Sequence, residues 1–252
     1  MIKVNNLHKT YSKQTTALDG ISFEISEGDV CGYIGINGAG KSTTIKILCG
    51  MLEFEEGSVE INGYKLPGDA MKIKEVTGYV PESSDMFNSL RVTEYFDFLK
   101  DLRSINDIAY KRRVDYFAEL YGFTHHLNDS IGKLSKGNKQ KVLIVSSLLH
   151  NPDILMFDEP LNGLDAFSIM TFQDMVMKLA EKGKIIFYSS HLLDLMEKVS
   201  SRIIIIDKGK TILDKKKTEL QDSSEYKSLE NYFRDITSPD LKKEFVYDEV
   251  FS

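Results

Sequence analysis

Three glycines, a lysine and a hydroxyl share the octapeptide GINGAGKS at 35–42, and their order suits one kind of chemistry. Glycines allow a tight turn whose N–H groups wrap a phosphate. A helix beginning at the lysine would aim the positive end of its dipole at the same anion. Gly35, Ile36, Asn37, Gly38, Ala39, Gly40, Lys41, Ser42 and Thr43 therefore read as a cradle for the phosphates of a nucleoside triphosphate. Lys41 would reach the β- and γ-phosphates, and the Ser42 hydroxyl would ligate Mg²⁺. Many unrelated enzymes share such a loop, so it specifies triphosphate binding and no more.

Hydrolysis of a triphosphate asks for a metal ligand and a water-polarising group on a rigid support. ILMFDEP at 154–160 ends an apolar run in two carboxylates: Asp158, to hold Mg²⁺ directly or through water, and Glu159, to polarise the attacking water. Another apolar run, IIII at 203–206, also leads to an aspartate, Asp207. Its sequel, Lys208-Gly209-Lys210, reads as a hairpin turn with no second carboxylate. His191 differs from the other histidines by closing the strand-like segment FYSSH at 187–191. His8, His125, His126 and His150 read as structural or exposed.

The elements that must position these groups alternate. Ile21–Ile25, Val30–Ile34, Ile154–Phe157, Lys184–Tyr188 and Arg202–Ile206 read as strands, and Lys41–Gly50, Asn138–Leu149 and Phe167–Glu181 as helices. Such alternation implies an α/β fold, and the uninterrupted apolar runs imply parallel strands covered on both faces. Between about 83 and 133 the pattern turns helical and charge-rich, with Tyr95, Phe98, Leu99 and Leu102 on one predicted helix face, as expected of an inserted lobe. Leu229, Tyr232, Phe233 and Ile236 recur at helical spacing before a polar, aromatic-dotted tail. The expected division is one ATPase domain over 1–220 and a terminal helix with tail over 221–252.

Composition narrows the partners. Hydrophobic residues at 42% and charged ones at 28% of 252 residues describe a globular chain, and a net charge of -6 disfavours nucleic acid. Cys31 and Cys49 lack metal-ligand spacing and read as buried thiols of a reducing cytosol. No signal peptide opens the sequence and no apolar stretch approaches the roughly 18 residues a membrane span needs, so a membrane role would require a partner.

With the phosphate loop, the DE strand end and LSKGN at 134–138, the sequence resembles an ATP-binding-cassette (ABC) ATPase over nearly its whole length. That resemblance implies an α/β P-loop NTPase with a mainly parallel sheet core, an antiparallel β subdomain and the inserted helical lobe. It implies that Tyr11 stacks on adenine. It also implies that Ser135 and Gly137, in a variant of the family's LSGGQ signature, contact the γ-phosphate held by the opposite subunit. Lys136 and Asn138 depart from the commonest signature, and the departure bears on the strength of that contact. LSKGNKQK read alone is only a serine-capped helix start.

Further roles follow from the same resemblance. Glu82 in GYVPE stands where the family usually offers glutamine to Mg²⁺ and to the attacking water. Asp165 in LNGLD matches the loop that links the two sites of the dimer, and His191 matches the histidine that bonds the γ-phosphate. The implied cofactors are ATP and Mg²⁺. The implied partners are a second nucleotide-binding subunit, as a homodimer, and an integral membrane transporter subunit at the cytoplasmic face of the cell membrane. Met86, Phe87 and Leu90 are candidate docking residues beside Glu82. LSKG followed by KQK, together with GYVPE, is similar to exporters of drugs, peptides or lipids. The alternative is an ABC ATPase of a non-transport assembly such as iron–sulfur assembly. Cargo is not encoded in these motifs, and the tail SPDLKKEFVYDEVFS receives no role.

Overall fold

A computed structural model of the chain describes residues 1–12, 15–83, 86–223 and 226–237. The tail at 238–252 lies outside them. The chain begins with two long strands, β1 (Ile2–Ser12) and β2 (Thr15–Ile25), followed by β3 (Val30–Ile34) and helix α1 (Lys41–Leu48). A hairpin of β4 (Glu56–Ile61) and β5 (Tyr64–Lys65), helix α2 (Ala70–Val76) and β6 (Thr77–Val80) come next. Helices α3 (Val92–Leu102) and α4 (Asp107–Leu120) then lead through two short 3₁₀ turns to α5 (Lys136–Leu148). The second half runs β7 (Ile154–Asp158), α6 (Ala166–Glu181), β8 (Ile185–Ser189), α7 (Leu193–Val199), β9 (Arg202–Asp207), β10 (Lys210–Lys216), α8 (Lys217–Gln221) and α9 (Leu229–Thr237).

These strands form two sheets. One is antiparallel, ordered β2-β1-β4-β5, and the other is ordered β10-β9-β3-β8-β7-β6 with only β10 antiparallel to its neighbour. Alternate residues of the central strands enter different cores. Cys31, Tyr33, Ile154, Met156, Phe187 and Ile204 pack with α1 and the antiparallel sheet, whereas Ile34, Leu155, Phe157, Ile186, Tyr188 and Ile205 pack toward the helices of the other face. Both faces of these strands are therefore dry, which explains why the apolar runs have no polar alternation. The Phe23, Tyr33 and Phe187 rings sit 4.8–6.0 Å apart in the first core. Burying side chains of this size stabilises the fold by about 1.5–3 kcal/mol each.

The Lys208-Gly209 turn between β9 and β10 adopts positive φ at both residues, 46° and 77°, as a tight two-residue hairpin requires. Helix α3 differs in detail from the face read in the sequence. Its buried residues are Val92 and Phe96, with Tyr95 and Leu99 partly covered, while Phe98 and Leu102 are 49% and 64% exposed. Apolar residues surround much of this helix, so spacing alone could not select the side that meets the core. In α9, Leu229 is buried and Tyr232, Phe233 and Ile236 pack on the core. Among the described residues no helix is long and apolar enough to cross a membrane.

Candidate nucleotide site

Parallel register brings the candidate groups to one edge of the sheet. β3 ends where the loop at 35–40 begins, and Asp158 at the end of β7 stands directly opposite Ser189 at the end of β8. Ligands of such sheets bind beyond the carboxyl ends of the strands. Here a cleft of about 390 Å³ opens, lined by Tyr11, Thr15, Thr16, Ala17, Asn37, Gly38, Gly40, Lys41, Ser42, Thr43, Glu82, Asp158 and Glu159.

The loop's glycines are needed for space as well as for conformation. A Cβ on Gly35 would lie 2.5 Å from the Ile206 carbonyl oxygen, and Gly40, at φ 111°, would place one 2.6 Å from that of Ala17. Gly35, Ile36 and Ala39 do not line the cleft but shape the loop: Ala39 N–H donates to Ile36 O at 3.1 Å, and Gly209 N–H to Ala39 O at 3.0 Å. Lys41 is buried, and its ammonium donates to the carbonyls of Gly35 at 2.7 Å and Ile36 at 3.3 Å. The chain thus satisfies this cation with its own loop, beside the start of α1. Tyr11, 56% exposed, is hydrogen-bonded to Thr43 Oγ1 at 3.2 Å, with the Lys9 ammonium 5.8 Å from its ring centre. An open aromatic face at the loop's far end suits a stacked base.

The carboxylates are held from beneath. Asp158, 1% exposed, accepts a 2.7 Å hydrogen bond from the Ser189 hydroxyl and forms no ion pair among the described residues. Glu159 adopts φ 50°, a left-handed backbone costly for a residue with a side chain, and its N–H donates to Ser189 O and Oγ at 3.1 and 3.3 Å. That turn brings the buried Glu159 carboxylate to His191, whose Nδ1 lies 2.9 Å from Oε2. Ser189, which anchors both acidic residues, was not singled out from the sequence. One serine among many gives no signal until cross-strand register is known.

A buried carboxylate without a cation is expected to meet one from a ligand. Ser42, Glu82 and Asp158 all face this cleft and offer hard oxygen donors of the kind Mg²⁺ takes. Mg²⁺ held by one or two carboxylates usually keeps several waters and takes substrate phosphates as further ligands.

Ser135, Gly137 and Asp165 do not line this cleft but gather elsewhere. Ser135 caps α5, its hydroxyl accepting from Asn138 N–H at 3.2 Å, and a Cβ on Gly137 would lie 2.6 Å from Gly163 O. Asp165 caps α6 by accepting from Ser168 N–H at 2.8 Å, and it pairs with Lys141 at 3.0 Å. The Ser168 N–H and the Lys141 ammonium together hold its carboxyl well below the usual carboxylate range. The two buried cysteines take no part, and burial pushes both thiols up.

A family model described as ABC transporter matches residues 18–162. An uncharacterized ABC transporter ATP-binding protein of Methanocaldococcus jannaschii is 38% identical over 211 residues, 84% of this chain and 76% of that protein. The linearmycin resistance ATP-binding protein LnrL of Bacillus subtilis is 33% identical over 220 residues, 87% of this chain and 70% of that one. A solved ATP-binding subunit of an ABC transporter superposes with a TM-score of 0.88 at 28% identity, covering 94% of this chain and 99% of that structure. The chain belongs to the ABC transporter family, as an ATP-binding and ATP-hydrolysing cassette.

Proposed function

We propose that this cassette powers an exporter by closing head to tail on a second copy of itself over two molecules of ATP. The observation that carries the proposal is the separation of two half-sites on one chain. Loop, base and aromatic platform meet in the cleft, while Ser135, Gly137 and Asp165 gather outside it. A second copy, turned around, would lay its Ser135 and Gly137 over the phosphates bound here.

In that arrangement the Asn37–Thr43 segment binds the phosphates through its N–H groups, and Lys41 exchanges two carbonyl contacts for phosphate oxygens. Tyr11 orients the base. Glu159 accepts a proton from the attacking water, and His191 holds that carboxylate in place. Ser42, Glu82 and Asp158 would hold Mg²⁺, which would neutralise phosphate charge. Closure excludes bulk water and strengthens each of these electrostatic contacts.

A membrane partner would dock near Glu82 and the helical lobe. A cavity of about 350 Å³ lies between α3, β6 and α5, lined by Met51, Tyr95 and Leu99 together with Lys74, Arg103 and His150. Thr77 Oγ1, also in its lining, is buried without a hydrogen-bond partner among the described residues. Phe87, 58% exposed, and Phe98 extend the apolar surface beside it, their rings 6.2 Å apart. Met86 and Leu90, by contrast, are partly buried against the core. Export as the direction is supported by the likeness to the linearmycin resistance protein. Solubilising the native membrane and isolating this chain tests the proposal: a multi-spanning protein should accompany it. Recovery in a purely water-soluble assembly would overturn the reading.

A further inference from the structure

The geometry points to Gln140 and Lys141 as positioning residues that fasten the partner-facing Ser135 and Gly137 to the segment running from Glu159 to Asp165. This inference rests on the head-to-tail dimer proposed above. The first turns of α5 meet that segment at successive places. Gly137 touches the Gly163 carbonyl so closely that a Cβ would come within 2.6 Å. Gln140, 1% exposed, donates through Nε2 to Pro160 O at 2.9 Å. Lys141, its side chain 12% exposed, pairs with Asp165 Oδ2 at 3.0 Å.

Pro160 directly follows Glu159, so the base of one site is tied to the residues offered to the other. A displacement of the Glu159 turn when its own ATP binds or is cleaved must pull on α5 through Gln140 and Lys141. The helix start carrying Ser135 and Gly137 then moves with the 160–165 segment as one body. Each chain thereby couples its own ATP site to that of its partner, and loosening the clamp uncouples them without touching either cleft.

The test replaces Lys141 by methionine, which keeps the apolar stem in its enclosed position and removes the ammonium. K141M and K141R are made in the full chain and in a Glu159→Gln background that holds the closed state. Nucleotide affinity is read at chain concentrations low enough for monomers, closure by light scattering with ATP, and cooperativity from the ATP dependence of turnover. K141M should bind ATP and unfold as its parent does, yet need roughly tenfold more ATP for closure, as typical coupling energies predict. Its Hill coefficient should fall toward one, and K141R should restore both values. Closure and cooperativity equal to the parent in K141M would overturn the inference. So would a matching loss of monomer ATP affinity or melting temperature, which would mark Lys141 as merely structural. Failure of the Glu159→Gln parent to close would instead overturn the dimer itself.

Discussion

His191 Nδ1 lies 2.9 Å from Glu159 Oε2, and the backbone N–H of His191 approaches the same oxygen at 3.4 Å. The two residues come from the ends of adjacent strands, and their meeting depends on the Asp158–Ser189 register and on the left-handed backbone of Glu159. The imidazole, 64% exposed, bridges a buried carboxylate and the open edge where a partner would close. Replacing His191 by alanine should lower kcat by about a hundredfold, the usual weight of an oriented acid–base group, and leave nucleotide affinity nearly unchanged. Steady-state kinetics beside a binding titration checks this.

Lys41 should act on binding. Its ammonium already rests on two carbonyls, so alanine leaves those oxygens to solvent and removes the cation that phosphates would recruit. ATP affinity should fall by about 1.5–3 kcal/mol, the range for hydrogen bonds to charged groups. Titration with a fluorescent ATP analogue measures the loss.

Gly137→Ala should separate two functions that share a contact. A methyl group 2.6 Å from the Gly163 carbonyl must displace one backbone segment or the other. The expected cost is about 1–3 kcal/mol of stability, as for other overpacked sites, together with weakened closure on ATP. Urea unfolding and light scattering report the two effects independently.

His150 gives the fold a pH dependence. Burial, then the neighbouring Arg103, moves its pKa from the ordinary 6.5 to about 4, while its Nε2 stays 3.1 Å from Thr77 O. Below pH 6.5 the unfolded chain takes up a proton that the folded chain refuses. This contribution to stability is therefore full above 6.5 and is lost as pH falls toward 4. His150→Gln keeps a donor and removes the titration. Between those limits the wild type should lose about 2 kcal/mol more than the variant, by linkage discounted for partial exposure. Urea unfolding at several pH values reads the difference.

The parts legible in the sequence are those where one local rule dominates. β3, β7, β8 and β9 stand out because both faces of each are dry, and the phosphate loop because spaced glycines precede Lys41 and Ser42. β1 is harder to see: IKVNNLHKTYS has no steady alternation, since its pairing with β2 passes through repeated register shifts. Ser189, Gln140 and Lys141 have roles only through residues 20 or more positions away, apart from any local pattern. The place of Glu159 after Asp158 marks it as a base in the sequence, but its φ of 50° and its contact with His191 require the folded sheet.

Glu159→Gln tests in one preparation whether Glu159 drives hydrolysis inside a site shared by two chains. With ATP the variant should lose turnover by at least about a hundredfold, as removal of a general base implies, retain bound nucleotide and run as a dimer that disappears when ATP is withdrawn. Near-normal turnover would remove Glu159 from the role of base, and tight ATP binding with no change in molecular size would contradict a site shared by two chains.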